Sequence, residues 1–172
     1  SEHLDSGVIT NKKYFSGDLF HLNLPLFSIN YKRNRDKIEY YLNKACTFFV
    51  YAVYDSAAYY NLNLLRSIKK DNKLGYSALF NLAAEYYAAG EYRLSYSRFL
   101  DLFKYYNGKQ DCAVRYGLGV NYEAFGDFSN AKKQYYYVLR NPDDYYNEKY
   151  NLKDLAAYRL KRLRGSKKKY LK

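Results

Sequence analysis

The sequence predicts an all-α protein, built as a short solenoid of antiparallel helix pairs. The first observation is an internal repeat: when Gly90 is aligned with Gly126, two copies match with a period of 36 residues, a spacing typical of stacked helix pairs. The second is composition. The 172 residues include only 2 prolines and 9 glycines, and 48% of them are hydrophobic, which favours helices over a turn-rich β fold or a disordered chain.

Each copy of the repeat fits two helices joined by a glycine turn. Apolar residues recur on one helical face before the glycine and on a second face after it. We expect Gly90 and Gly126 to adopt positive φ where the first helix ends. Small and large side chains alternate, so that helix backbones approach and rings fill the space beside them. The matched pairs are Leu82 with Leu118, Ala83 with Gly119, Tyr86 with Tyr122, Tyr92 with Phe128, Ser95 with Ala131, Phe99 with Tyr135 and Phe103 with Leu139.

The turns of the two copies carry a family resemblance. Gly90-Glu91-Tyr92 and Gly126-Asp127-Phe128, followed once by Pro142, resemble the tetratricopeptide repeat family over residues 76–145. The resemblance implies a right-handed solenoid whose concave surface is lined by the first helix of each pair. The first copy lacks the closing proline, Arg115 stands where a large apolar residue is expected, and the period is a little longer than is usual for the family.

The chain before the repeats divides into two parts. Residues 1–33 are predicted to form an irregular N-terminal arm, because Pro25 interrupts the alternating leucines of Leu22–Leu26. The arm either lies along the helices or is offered to a partner. Residues 34–75 keep helical apolar spacing and are predicted to be a degenerate first helix pair. Its turn is expected at Tyr54–Ser56, with Ser56 as the cap, and a polar loop follows at 69–75.

The chain after the repeats is predicted to shield the end of the array. Residues 146–165 form a capping helix that Asp143 and Asp144 can begin, and 166–172 are a basic tail. The apolar stripe of this helix is Leu152, Leu155, Ala156, Leu160 and Leu163.

Positive charge is concentrated at this C-terminal end. From Lys149 to Lys172 there are ten lysines or arginines and one acid, Asp154, so this stretch carries 10 − 1 = +9 of the net +12. Such an end can attract nucleic acid, an anionic membrane surface or an acidic partner; the alternative is a solvated capping helix. The candidate basic residues are Arg159, Lys161, Arg162, Arg164, Lys167, Lys168 and Lys169.

Residues typical of catalysis do not form a recognisable constellation. The two histidines, His3 and His21, both lie in the arm, and neither they nor Cys46 and Cys112 have metal-ligand spacing. No glycine-rich phosphate loop is present. The sequence therefore predicts no enzyme activity, no cofactor, no metal site and no disulfide.

The concave surface implied by the family resemblance is the candidate binding site. It is aromatic and lined by small residues, which suits an apolar peptide, a helix or a domain surface of another protein. The alternative is that the C-terminal helix or the N-terminal arm of the same chain fills it. The residues implied are Phe80, Asn81, Ala84, Tyr87, Tyr116, Val120 and Glu123, outside a packing set of Leu82, Tyr86, Leu118 and Tyr122.

The function expected from these patterns is a non-catalytic scaffold that binds and stabilises a partner protein. The second alternative is an adaptor that binds nucleic acid or an anionic membrane surface through its basic end, and the third is an enzyme whose site is not recognisable in the sequence. The chain contains 25 tyrosines and no methionine. Because tyrosine has AT-rich codons, we expect a protein from an AT-rich bacterium such as a spirochaete. Because an initiator methionine is missing, we expect a fragment of a longer protein, with a periplasmic or envelope setting favoured over the cytoplasm.

Overall fold

A computed structural model describes residues 35–68, 72–105 and 111–166, and every regular element among them is an α-helix. The predicted all-α class is therefore confirmed for this part of the chain. The arm at 1–33 and the lysines at 167–169 lie outside the described residues. The helices are α1 (Arg35–Val50), α2 (Tyr54–Ser67), α3 (Asn72–Ala88), α4 (Tyr92–Tyr105), α5 (Cys112–Ala124), α6 (Phe128–Arg140), α7 (Tyr145–Tyr150) and α8 (Leu152–Ser166).

Helix boundaries repeat with the period seen in the sequence. The helix α3 ends at Ala88 and α5 ends at Ala124, while α4 begins at Tyr92 and α6 begins at Phe128. Both intervals are 36 residues, since 124 − 88 and 128 − 92 agree. The repeated sequence thus produces a repeated pair of helix boundaries.

The two glycine turns have the expected backbone conformation. The φ angle is +80° at Gly90 and +78° at Gly126, which confirms the prediction of positive φ. The amide of Gly90 donates to the carbonyl of Tyr87 (3.0 Å), and the amide of Glu91 donates to that of Tyr86 (2.8 Å). The Gly126 turn repeats both bonds, at 3.0 and 2.9 Å. This is the Schellman motif, which satisfies carbonyls at a helix C-terminus.

The turn between α1 and α2 has the same form without a glycine. Ala52 has φ of 58°, its amide donates to the carbonyl of Phe49 (3.0 Å), and the amide of Val53 donates to that of Phe48 (2.8 Å). The prediction of a turn at Tyr54–Ser56 is wrong, because α2 already begins at Tyr54. No glycine marks the true position, which is why the pattern placed the turn too late.

The chain divides into two compact units, Ser1–Leu102 and Phe103–Lys172. In the first unit, α2 packs against both α1 and α3. Their apolar faces meet in one cluster, so burial of these side chains supplies the stabilising free energy of this part of the fold. The cluster consists of Ile38, Leu42, Leu64, Ile68 and Ala78.

In the second unit, α5 and α8 both pack against α6, and α8 also contacts α5. Gly119 leaves room for the ring of Tyr135, since a Cβ atom added there would lie 2.6 Å from Cε1 of that ring. This bears out the predicted pairing of a small residue on one helix with a ring on the next. A larger residue at Gly119 would force the buried Tyr135 ring to move.

Arg115 takes the place of the large apolar residue that the repeat pattern expects. Its guanidinium carbon lies 4.7 Å from the ring centre of Phe103 and 4.4 Å from that of Tyr137. Nη1 of Arg115 donates to Oε1 of Gln134 (3.1 Å). The planar cation therefore stacks between two rings, as an aromatic side chain would.

The segment predicted as one capping helix is divided into α7 and α8. Asn151 separates them with φ of 53°, a conformation that asparagine tolerates better than most residues. Asp144 begins α7 as predicted, because Oδ1 accepts the amide of Asn147 (3.0 Å). The predicted apolar stripe of α8 is buried at Leu152, Ala156, Leu160 and Leu163.

Candidate functional site

In the second unit, the residues predicted to line a groove lie inside the helix packing. Tyr116 and Val120 are both 0% exposed. The ring centre of Tyr116 lies 5.8 Å from that of Tyr135 on α6, so this side chain faces the other helix of its own pair. Glu123 is partly exposed. That Tyr116, Val120 and Glu123 bind a partner stays a prediction.

The helix α8 covers this face through one buried arginine. Nε of Arg159 donates to the Tyr116 hydroxyl (3.1 Å), and Nη1 donates to Oε2 of Glu123 (3.3 Å). The same Glu123 oxygen accepts the Tyr135 hydroxyl (2.7 Å). Burial raises the pKa of Tyr116 and of Tyr135, while the charge of Arg159 works in the opposite direction. At these residues the chain's own C-terminal helix covers the face; the N-terminal arm, which was the other alternative, lies outside the described residues.

In the first unit, the predicted groove residues are also buried. Phe80 is 0% exposed and its ring centre lies 5.3 Å from that of Phe99 on α4, edge to face. Tyr87 packs against Tyr92 across the turn, with ring centres 5.3 Å apart. Asn81 and Ala84 are each 4% exposed. These side chains therefore build the interior of the first unit.

Leu82 and Leu118 of the predicted packing set are buried as expected, but its two tyrosines are less buried than the rings predicted to line the groove. Tyr86 and Tyr122, which match each other in the two repeats, are only partly buried. Phe80 and Tyr116, which also match each other, are fully buried. The rings of Phe80 and Tyr116 point at the second helix of their own pair. They therefore occupy the core position that the sequence analysis assigned to Tyr86 and Tyr122. The assignment of Tyr86 and Tyr122 to the deeper core is corrected accordingly.

The predicted basic end is split by the structure. Arg159 is 3% exposed and paired with Glu123, so it does not belong to a solvent-facing surface. Lys161 and Arg164 are exposed. Nη2 of Arg164 donates to the Tyr136 hydroxyl on α6 (2.8 Å). Arg162 lies over the ring of Tyr158, 5.9 Å from its centre.

An exposed group of rings on α1 and α2 was not found by sequence reasoning. We call Tyr40, Phe48, Tyr59 and Tyr60 the aromatic surface. Tyr60 lies at its centre, with ring-centre distances of 6.1 Å to Tyr40, 5.5 Å to Phe48 and 5.3 Å to Tyr59. Tyr40 is 51% exposed and Tyr59 is 62% exposed. Nζ of Lys44 lies 5.9 Å from the Tyr40 ring centre.

The signal for this surface was present in the pattern. Tyr40 and Tyr59 both lie off the apolar stripes of their helices, where a polar residue is the usual choice. Large aromatic side chains at such positions indicate a surface that contacts something. The abundance of tyrosine throughout the chain hid this signal.

A polar cleft follows α6 and is lined in part by charged residues. Its volume is about 440 Å³, and Arg140, Asp143 and Asp144 are among its lining residues. The nearby Cys112 is a poor nucleophile, because burial and the adjacent Asp144 and Asp111 raise its pKa to about 12. In the described part of the chain, no group of three or more His, Cys, Asp or Glu side chains is placed to hold a metal ion.

Comparison with known proteins gave no family. No family model, curated protein or solved structure matches the chain. Among the described residues, none of the helices has the length and apolar character needed to cross a membrane.

Proposed function

We propose that this chain is a non-catalytic protein-interaction module, built as a right-handed solenoid of antiparallel helix pairs similar to tetratricopeptide repeats. Support comes from the three turns of one geometry, at Ala52, Gly90 and Gly126, each joining two consecutive helices. In arrays of this kind each repeat packs only against its neighbours, and the stacked repeats present an extended surface. In this proposal the helix pairs support the binding surface, and the partner is another protein.

The observation that carries the proposal is the aromatic surface. Tyr40 and Tyr59 are more than half exposed, yet each is held by ring contacts with Tyr60. Exposed tyrosines that are already ordered lose little conformational entropy on binding, and tyrosine is enriched among residues that dominate interface energies. The partner therefore contacts α1 and α2 here, in place of the covered groove positions.

The test is capture of a partner from the native organism, followed by binding measurements on variants. Replacement of Tyr40 and Tyr59 by serine should weaken binding at least tenfold, since interface tyrosines commonly cost about 2 kcal/mol when truncated. The thermal midpoint should change little. The matched control is Tyr51→Ser, which removes a 75% exposed tyrosine outside the aromatic surface.

Normal binding by the Tyr40→Ser/Tyr59→Ser variant would reject the aromatic surface as the site. In that case the Tyr87→Ala/Tyr116→Ala variant decides whether the groove positions take part. Because these two side chains are buried, its binding is interpreted only at temperatures at which its circular dichroism matches that of the native chain.

A second candidate function is supported by the contact between Arg164 and Tyr136. This bond places Arg164 beside α6, where Lys132 lies one helical turn from Tyr136. The helix α6 contains three basic residues and no acid. With Lys161 on α8, these cations form a surface suited to the phosphates of nucleic acid or of an anionic membrane.

A further inference from the structure

Glu85 is a buried acid that has no cationic partner. Its side chain extends from α3, and the residue is 2% exposed. Both carboxyl oxygens contact a single atom, Nδ2 of Asn61 on α2, at 2.8 and 2.9 Å. Among the described residues, no lysine, arginine or histidine forms an ion pair with it. One amide group is therefore the whole of its polar environment.

A carboxylate in this position would be poorly stabilised. The ionised group accepts hydrogen bonds at about four lone-pair sites, and a buried charge without compensation is costly enough that the group usually takes up a proton. Burial raises the pKa of Glu85 to about 8, and the bond from Asn61 works in the opposite direction. The geometry and the electrostatics both favour the neutral acid.

Asn61 shows a second anomaly at the same place. It is 2% exposed, and its Oδ1 atom is buried without a hydrogen-bond partner. A protonated Glu85 can donate its O–H from one carboxyl oxygen to this Oδ1, while the other oxygen keeps the bond from Nδ2. One proton thus satisfies both buried groups.

We propose that the folded protein holds Glu85 as a neutral acid in a two-bond acid–amide pair with Asn61, and that this pair is a pH-sensitive contact between α2 and α3. The contact lies in the interior of the first unit and is independent of the proposed partner surface. Among the described residues, no positively charged side chain of α3 or α4 forms an ion pair that would stabilise the ionised form of Glu85. The titratable or charged residues of α2, which pack opposite, are Tyr54, Asp55, Tyr59, Tyr60 and Arg66, and none forms a hydrogen bond or an ion pair with Glu85.

The sign of the pH effect follows from proton binding. The folded protein keeps this proton up to about pH 8, whereas the unfolded chain releases it near about pH 4.3. Between these values the folded state binds more protons, so a rise in pH favours unfolding. The unfolding equilibrium constant should rise about tenfold per pH unit through this window and level off above it.

The test compares the native chain with Glu85→Gln, whose amide keeps the shape and stays neutral. Urea unfolding of the full chain gives the ratio of their unfolding constants at each pH. This ratio should increase by at least a hundredfold between about pH 5 and about pH 8. The control is Glu148→Gln, at an exposed position, for which the ratio should vary far less with pH than it does for Glu85→Gln.

A carboxyl-carbon NMR titration of the native chain gives an independent answer even if Glu85→Gln does not fold. The Glu85 resonance should titrate near about pH 8. Amide exchange in α2 and α3 should accelerate as Glu85 ionises. Titration of Glu85 near about pH 4.3, the ordinary value for a glutamate in an unfolded chain, or a ratio that does not vary with pH, would overturn the proposal.

Discussion

Alanine at position 52 adopts the backbone conformation that glycine supplies at the other two described turns. Its φ of 58° lies in the left-handed region, which costs a residue with a Cβ atom about 1–2 kcal/mol. Gly90 and Gly126 avoid this cost. Sequence reasoning found the glycine turns because the residue type reveals the conformation, and it misplaced the alanine turn because alanine carries no such signal.

Ala52→Gly should therefore stabilise the protein. We expect about 0.5–1 kcal/mol, since the relief of strain exceeds the added entropy of the unfolded chain. Urea unfolding followed by circular dichroism measures the change. The control is Ala157→Gly at an exposed position within α8, which should destabilise by about 1 kcal/mol. Destabilisation by Ala52→Gly would contradict the left-handed turn.

Gly119 illustrates a different requirement, which is space. Gly119→Ala would place a methyl group 2.6 Å from the Tyr135 ring, and overpacking of this kind costs about 1–3 kcal/mol. The matched control is Gly165→Ala near the end of α8, where nothing lies within 4 Å of the added atom. Equal stability of the two variants in thermal unfolding would show that Tyr135 moves away freely.

At the scale of helices, α5 is packed on more than one side. It contacts its pair helix α6, and it also contacts α8 through Arg159. Apolar spacing in the sequence predicted most of the helices and the repeat, because burial imposes that spacing on any packed helix. It did not predict which tyrosine faces which neighbour. That depends on the rotation of each helix and on the helix that covers it, and neither is encoded in spacing alone.

Two tyrosines on α5 test this packing. Tyr116→Ala should destabilise by about 3–5 kcal/mol, because a fully buried ring is lost and the hydrogen bond to Arg159 is broken. Tyr122→Ala should cost less than half as much, since this side chain is only partly buried. The original sequence pattern predicts the reverse order. Urea unfolding of both variants therefore discriminates between the two assignments of the helix face.

At the scale of the whole molecule, the net charge of +12 is the dominant surface property. The sequence located the basic end, because the charges are consecutive in the chain. It did not reveal that Arg159 is buried against Glu123 on α5, or that Arg164 contacts Tyr136 on α6. These contacts depend on how α8 packs onto α5 and α6, which involves residues far apart in the sequence.

This charge arrangement predicts where an anionic polymer binds. Replacement of Lys132, Lys161 and Arg164 by glutamine should weaken binding to single-stranded DNA at low salt and reduce its salt dependence, since each lost phosphate contact lowers the slope by about one. The control replaces Lys37, Lys44 and Arg66, exposed cations of α1 and α2, with the same loss of net charge. Equal effects of the two triple variants would show that only the total charge matters. Fluorescence anisotropy measures both.

The burial of Tyr116 and Tyr135 gives the molecule an internal optical indicator. The chain has 25 tyrosines and no tryptophan, so tyrosine dominates its near-ultraviolet absorbance and is the source of the tyrosinate band that appears at alkaline pH. Exposed phenols ionise near about pH 10, but burial raises the pKa of these two, which keeps them in the phenol form for as long as the helices hold. In an alkaline titration, part of the tyrosinate signal should therefore emerge only when the second unit unfolds. The slow fraction of that signal would record the unfolding rate without any added label.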